Sequence, residues 1–563
     1  MQYKKPRTII TTDMECDDMN SLIHLCLYLN EFELEGIVYT SSQFHFNGDG
    51  VHTLGEVTPH YCCQGMRGIE DENDPTYPSP DTPDLKSYRP FEMGWIENLF
   101  RNEYAAVYPK LSQHAEGFPT PEEMLDKIYL GNYEFEGDVR HETDGSRMIE
   151  SCIMDEREDT LYLQSWGGVN TIVRALMSIH EKYGNTPEWP AVRKKVTDKI
   201  AILGVFGGYG QDNSFLDQKI PEIYPGIKCL RAEYQYASFL TAHICQEDTR
   251  PLMQSEYMFS HIKDGHGPLL AKYSLYGDGT IFEGEPYRCQ MGIRPIIDWP
   301  IPGFVPHHFD KYDILGEGDS DTYIPLMTCF GLRGLDNYRY GTVLGQLRVD
   351  DNKPHAMGEM MGGPKPDRRS NPFLRAYHED FAARADWCVK DYDEANHNSV
   401  VEVTETDMKA APGETVKLQC SVSDVRPYSA KWWLYEDGSS YEGDFAAVPV
   451  KETLGLKMTF AVPADAKPGD WFNLKLDSVA GNADGKVCIF RFIRVLHGID
   501  QLIGAEDIDI QVMSPLVKIA IHQADECLFA GILVVAKGVR TDGLRIGNTV
   551  ERIFIWKFGH GVK

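Results

Sequence analysis

The chain has 563 residues, with 55 Lys and Arg against 85 Asp and Glu, a formal net charge of −30 at pH 7. That length exceeds one ordinary hydrophobic core, so more than one domain is expected. So anionic a surface repels nucleic acid and anionic membranes, which removes both from the expected partners. Hydrophobic residues at 42% and aromatics at 11% are globular values, and no apolar run reaches membrane-spanning length. The 13 cysteines form neither a CxxC pair nor a compact disulfide framework, so buried reduced thiols are expected. The start, MQYKKPRTII, carries no signal-type apolar stretch before its first strand, which makes a cytoplasmic location the expectation.

The stretch that organises the chain is RTIITTDMECDD, Arg7 to Asp18. Thr8, Ile9, Ile10 and Thr11 are β-formers without Gly or Pro and read as a buried first strand. Asp13, Glu15, Asp17 and Asp18 then crowd into one turn. Met19, Leu22, Ile23, Leu25, Cys26 and Leu29 follow as the apolar face of a helix ending near Asn30, and Leu34 to Thr40 gives the next strand. The unit is βαβ with an acidic rather than a glycine-rich first turn. In open α/β sheets ligands sit outside the carboxyl ends of the strands, where this turn lies. Carboxylates at such spacing repel unless protonated or neutralised, and an all-oxygen set suits Ca²⁺ or Mg²⁺ better than Zn²⁺. A dinucleotide is not expected, because GxGxxG is missing and the turn would oppose a pyrophosphate. The alternative is a plain acidic helix start complementing the helix dipole.

A long Pro-, Gly- and aromatic-rich loop follows the second strand. Its opening residues Gln43 and His45 are expected to line a substrate site, because they leave the same end of the sheet. Helices are expected over Met93–Tyr108 and Pro121–Tyr129, and from Ser146, with Asp144-Gly145-Ser146 as the cap. LYLQSWGGVNT reads as a strand (Leu161–Ser165), a Trp-Gly-Gly turn and a helix from Asn170. Lys199–Val205 is another buried strand, entering the Gly-rich FGGYGQDN with Asp212 and Asn213 at its carboxyl side. A loop-rich stretch over 245–310 carries His261, His266, His307 and His308. In ILGEGDSDTY, Glu317, Asp319 and Asp321 sit on a Gly-rich turn. Residues 373–398 close the first domain as a helix with ANHN as linker. From Val400 short alternating strands predict a β-sandwich.

The first turn resembles the D-x-D-x-x-x-D-D motif of the nucleoside hydrolase superfamily, written here T-T-D-M-E-C-D-D with Thr11 at the first Asp. More narrowly, WGGxNT, EGD and FAARADWCV are similar to nucleoside hydrolase-like proteins of the Sde182 type, which carry an appended Ig-like domain and are described as cellulose-binding. The resemblance implies Ca²⁺ as cofactor, held by Asp13, Asp18, the Val169 carbonyl and Asp319. It makes Asp13 the base that activates water and Asp17 a sugar-hydroxyl ligand; from their places on Gly-rich turns, Asp212, Asn213 and Glu317 are expected as further sugar contacts. The family's His before the distal Asp is replaced by Gly318, so Glu317 or a histidine from the 260s or 307–308 is expected to supply the leaving-group proton. The expected fold is α/β, a Rossmann-like, mostly parallel, nucleoside hydrolase-like sheet over 1–398. An all-β Ig-like sandwich over 399–495 follows, then a β-rich extension over 496–563 with no role assigned. The expected function is metal-dependent hydrolysis of an N- or O-glycoside, with a small-molecule or oligosaccharide substrate; a homo-oligomer is compatible with this. The alternative is a non-catalytic carbohydrate-binding protein that keeps the pocket.

Overall fold

The computed structural model describes residues 4–42, 45–58, 84–204, 220–234, 236, 249–283, 285, 290, 292–293, 310–314, 316–349, 371–403, 406–423, 428–448, 452–480, 486–495, 532–533 and 554–555. Two compact units divide the chain, residues 1–494 and 495–563. In the second, Ile532–Leu533 pairs antiparallel with Phe554–Ile555.

The first unit is built on a sheet of β1 (Arg7–Thr12), β2 (Glu33–Tyr39), β3 (Ile128–Leu130), β4 (Leu161–Ser165), β5 (Ile200–Leu203), β6 (Lys228–Ala232) and β7 (Leu347–Val349), in spatial order β3-β2-β1-β4-β5-β6-β7. All neighbours are parallel except β6 and β7. β1 and β4 are buried along their whole length because helices cover both faces, which is why they read as unbroken rather than alternating apolar runs. The chain winds outward from β1 through β2 to β3, then returns to start β4 on the other side. That reversal puts a topological switch point between the carboxyl ends of β1 and β4, where open α/β sheets bind ligands.

α1 (Cys16–Cys26) leaves β1 after only three residues and is shorter than its apolar pattern predicted; Leu27 caps it, and a 3₁₀ turn covers Leu29–Glu31. α2 spans Asp144–Met154, and its cap is Thr143, not the expected Asp144-Gly145-Ser146. The Thr143 hydroxyl accepts the Ser146 N–H at 3.1 Å while Ser146 Oγ accepts the Thr143 N–H at 2.8 Å. The Asp144 carboxylate turns outward to Arg147. α3 (Asn170–Tyr183) starts where WGGVN predicted, but Asn170 does not cap it. Instead its amide donates to Ser41 Oγ at 2.9 Å and the Asn132 carbonyl at 2.7 Å and accepts from Thr40 Oγ1 at 2.8 Å. This stitches the end of β2 to the helix inside the core. We expect Asn170→Ala to cost about 2–4 kcal/mol in urea unfolding, because several buried polar partners are orphaned together. A loss under about 1 kcal/mol would show the network to be dispensable.

α4 (Leu374–Trp387) packs on α1, with Phe381 stacked on His24 at 3.6 Å between ring centroids. From Val400 onward the described residues form β-strands and one 3₁₀ turn, Phe445–Ala447. β8 (Val400–Val403), β10 (Thr415–Ser423) and β13 (Lys457–Ala461) form one antiparallel sheet. β9 (Asp407–Ala410), β11 (Tyr428–Leu434), β12 (Glu452–Leu454), β14 (Trp471–Ala480) and β15 (Lys486–Val495) form a second. The clean alternation of β10, exposed then buried, is that of a strand with one face on a core. This region leans on the α/β part: Phe373 meets Trp433 and Tyr435, Lys475 lies over Phe373, and Arg333 pairs with Asp407 at 2.9 Å. Cys420 is buried, and its thiol donates to the Leu456 carbonyl at 3.5 Å.

Candidate cation and substrate site

Four carboxylates gather at the switch point. Asp13 follows β1 directly and is 1% exposed; Met14 behind it takes a left-handed φ of 62°. That turn swings the chain from strand to helix, placing Asp17 and Asp18 in the first turn of α1. Asp319 arrives from 300 residues further on, at the start of the short Ser320–Tyr323 helix. Ligand oxygens of Asp17, Asp18 and Asp319 all lie within 4.8 Å of one another. Asp18 and Asp319 are buried, whereas Asp17 is half-buried at the rim.

Such a cluster is electrostatically unfavourable without a counter-charge. Two like charges about 4 Å apart repel by about 4 kcal/mol at an effective dielectric near 20. Burial, then Asp319 and Asp13, push the Asp18 carboxyl well above its ordinary range, and burial, then Asp17 and Asp13, do the same to Asp319. Asp17 is raised to about 7 by burial and by Glu15 and Asp13. Asp13 is raised to about 6, mainly by burial, with His45 pulling the other way. The Asp13 carboxyl accepts from Ser42, yet its buried Oδ1 has no hydrogen-bond partner. An orphaned carboxylate oxygen beside three more carboxylates, with only oxygen donors in the set, fits a hard divalent cation such as Ca²⁺.

The surroundings are shaped around these groups. A Cβ on Gly167 would come within 2.7 Å of Asp13 Cβ, so the Trp-Gly-Gly turn after β4 needs glycine there to let Asp13 stand. A Cβ on Gly318 would collide with Asp17 Oδ2. Val169 is buried at the start of α3, and its carbonyl already accepts the Val173 N–H at 2.8 Å, leaving one lone pair. Thr11 points into the sheet and hydrogen-bonds the Gln164 carbonyl, while Thr12 binds Asp18 and receives the Met14 N–H.

His45 is 1% exposed, and its ring Nε2 lies 3.3 Å from Glu285 Oε1. Glu285 is gripped by Arg89 at 2.9 Å, and Arg89 reaches Glu15 at 2.7 Å on its other side. Burial would raise the Glu285 carboxyl, but Arg89 and His45 outweigh it and hold it down at about 2. Burial and Arg89 work against a charged His45, and Glu285 overcomes them, so its pKa is raised. Arg89 shares with Met14 a left-handed φ, here 43°, in a non-glycine residue. Sequence reasoning missed Arg89 and Glu285, which lie 196 residues apart in irregular segments.

Glu317 lies deeper than a sugar contact would: it is 0% exposed, with His24 Nδ1 at 2.7 Å, Ser320 Oγ at 2.6 Å and the Tyr273 hydroxyl on its oxygens. Of the expected proton donors, His261 is exposed and His266 faces Asp386 at 3.2 Å. Gln43, Asp212, Asn213, His307 and His308 lie outside the described residues.

The solved structure of a nucleoside hydrolase-related protein from Saccharophagus degradans, associated in its description with carbohydrate metabolism, superposes with a TM-score of 0.58 at 20% identity, covering 88% of this chain and 100% of that one. The likeness shows a shared fold. Local likenesses also occur to domain 1 of VCBP3 from Branchiostoma floridae (TM-score 0.13, 13% identity, 18% of this chain and 97% of that one). Another is to the Dpr11 IG1–DIP-gamma complex (TM-score 0.14, 15% identity, 17% and 48%). Both are too slight to carry an argument. No curated protein matches the sequence. Among the described residues no helix is long and apolar enough to cross a membrane. The family model for the nucleoside hydrolase-like domain of cellulose-binding Sde182 matches residues 7–346, more than half of the chain, from the strand that carries Asp13 to beyond the turn that carries Asp319, and this protein belongs to that family.

Proposed function

We propose that the protein is a cation-dependent hydrolase of a glycosidic bond, N- or O-linked, with Asp13 as general base. The observation that carries this reading is the buried Asp13 carboxyl whose Oδ1 has no partner, set at the switch point of the sheet where its charge acts on Asp17, Asp18 and Asp319. Asp13, Asp18, Asp319 and the Val169 carbonyl would hold a single Ca²⁺. When bound, that cation polarises a water and the sugar's hydroxyls.

Asp13 takes the water's proton on Oδ1, the buried oxygen that has no hydrogen-bond partner. Attack at the anomeric carbon passes through an oxocarbenium-like state, to which the surrounding negative charge is complementary. Asp17, half-buried at the rim, receives the sugar's hydroxyls and holds the ring in register. Among the described residues His45, whose pKa Glu285 raises, is the group that proton donation to the leaving group falls to in this reading. It is also the side chain acting most strongly on Asp13.

The second reading, a carbohydrate-binding protein without turnover, is favoured by the family's description as cellulose-binding and by Gly318. The two separate in one assay. Nucleosides, aryl glycosides and cello-oligosaccharides are incubated with the full chain in Ca²⁺ and in chelator. Hydrolysis abolished by chelator supports the hydrolase. Saturable binding of a sugar without hydrolysis replaces it with the binding protein.

A further inference from the structure

α1 is buried on nearly every side, yet it does not present apolar residues all round. Asp17, Asn20, Ser21 and His24 recur at helical spacing and form a polar stripe running from the carboxylates into the core. Each meets the segment that carries Asp319. The Asn20 amide donates to the Gly316 and Ser274 carbonyls, at 2.9 Å each, and its oxygen accepts the Ser274 N–H at 2.8 Å. Ser21 Oγ lies 3.1 Å from Ser320 Oγ, and His24 Nδ1 lies 2.7 Å from Glu317 Oε2. His24 and Glu317 are both 0% exposed. The remaining His24 nitrogen is 3.1 Å from the Tyr377 hydroxyl, and Ser320 Oγ completes the circuit to Glu317 at 2.6 Å.

Buried hydrogen bonds of this kind contribute little net stability, because desolvation offsets them, but a fully satisfied network fixes one register. Register is what this place needs. α1 is tied to β1, whereas the Asp319 turn comes from remote sequence. On the opposite side the turn is fastened through Thr322, whose hydroxyl meets Gln164 Oε1 and Trp166 Nε1 at 2.7 Å. We propose that the His24–Glu317 pair, with Asn20 and Ser21, is a positioning device that holds Asp319 against Asp17 and Asp18 and so sets the affinity of the site for its cation. Glu317 and His24 touch neither sugar nor cation in this account. The inference rests on the cation-site reading given above.

The test is calorimetric titration of Ca²⁺ into the full chain, with thermal unfolding of each variant in chelator. Glu317→Ala and His24→Ala are expected to weaken Ca²⁺ binding by about 10–100-fold, the usual consequence of removing a residue that orients metal ligands. Glu317→Gln keeps an acceptor for His24 and Ser320 and should restore affinity close to wild type, a rescue that lost packing does not predict. Asn371→Ala removes buried hydrogen bonds to Val343 and Phe373, away from the turn. It should lower the melting temperature and leave the affinity unchanged. If Glu317→Ala fails to fold, Ser320→Ala carries the test, with a several-fold loss expected. Wild-type affinity in folded Glu317→Ala, His24→Ala or Ser320→Ala overturns the inference, as does an equal loss in Asn371→Ala. A wild type that binds no divalent cation overturns the cation-site reading itself, and the inference with it.

Discussion

Asp13→Asn is expected to lower single-turnover hydrolysis by about 10²–10⁴-fold, the usual contribution of a general base, while sugar affinity stays within a few-fold of wild type. The amide is isosteric, still accepts from Ser42 through its oxygen, and fits the space left by Gly167. It cannot take a proton from water at neutral pH. Asp17→Ala should behave differently. Losing a hydroxyl ligand at the rim weakens binding and turnover together, because the sugar is no longer held in line for attack. If Asp13→Asn turned over at the wild-type rate, Asp13 would not be the base. If both variants changed only stability, by about 1 kcal/mol, the acidic turn would be a helix start and nothing more.

The second large effect concerns stability. Asp18 and Asp319 have folded-state pKa values raised above their unfolded ones, so between the two values the folded state binds more protons than the unfolded. Stability from these groups is then fully present at low pH and is lost as pH rises through their folded pKa values. Asp13 at about 6 and Asp17 at about 7 extend the same trend to neutrality. Asp319→Asn removes one charge, so the cation-free variant should be more stable than cation-free wild type at pH 7.5. The gain should grow by up to about 1.4 kcal/mol for each pH unit above the ordinary carboxylate pKa, until the folded-state pKa is passed. The gap should close towards pH 4. Adding Ca²⁺ should reverse the order, since at 100-fold excess over its dissociation constant a ligand stabilises by about 2.7 kcal/mol and the variant's neutral amide holds the cation more weakly than the carboxylate it replaces. Urea unfolding of both proteins at pH 4 to 7.5, in chelator and in Ca²⁺, reads this directly. A variant less stable than wild type in chelator at pH 7.5 would contradict the picture of uncompensated carboxylates.

The strand–acidic turn–helix opening, the Trp-Gly-Gly turn and the Gly-Asp before the late helix were all legible in the sequence, because each is a local signal. β-formers stop, carboxylates begin, and glycines mark where backbone must come close. What they could not reveal is partnership. Arg89 and Glu285 make the wall beside His45 through contacts between irregular segments with no periodicity to read. α1 was legible only as an apolar face. Its second, polar face was invisible because Asn20, Ser21 and His24 look like solvent-facing residues until the 316–320 turn is laid over them. Glu317 was drawn into the expected sugar contacts by its neighbour Asp319, whereas in the turn the two side chains part, one to the core and one to the carboxylates. Cap positions also shifted, as at Thr143, because Thr and Asp compete for the same role and only backbone geometry decides between them.

The measurement that tests the central claim most directly is a crystal structure grown with Ca²⁺, with anomalous scattering used to locate the ion. One ion per chain is expected at the carboxyl ends of β1 and β4, bonded to Asp13, Asp18 and Asp319 through oxygens at about 2.3–2.6 Å. Asp319 remote from Asp13, or a fully ordered carboxylate cluster that stays free of the ion at saturating Ca²⁺, would contradict it.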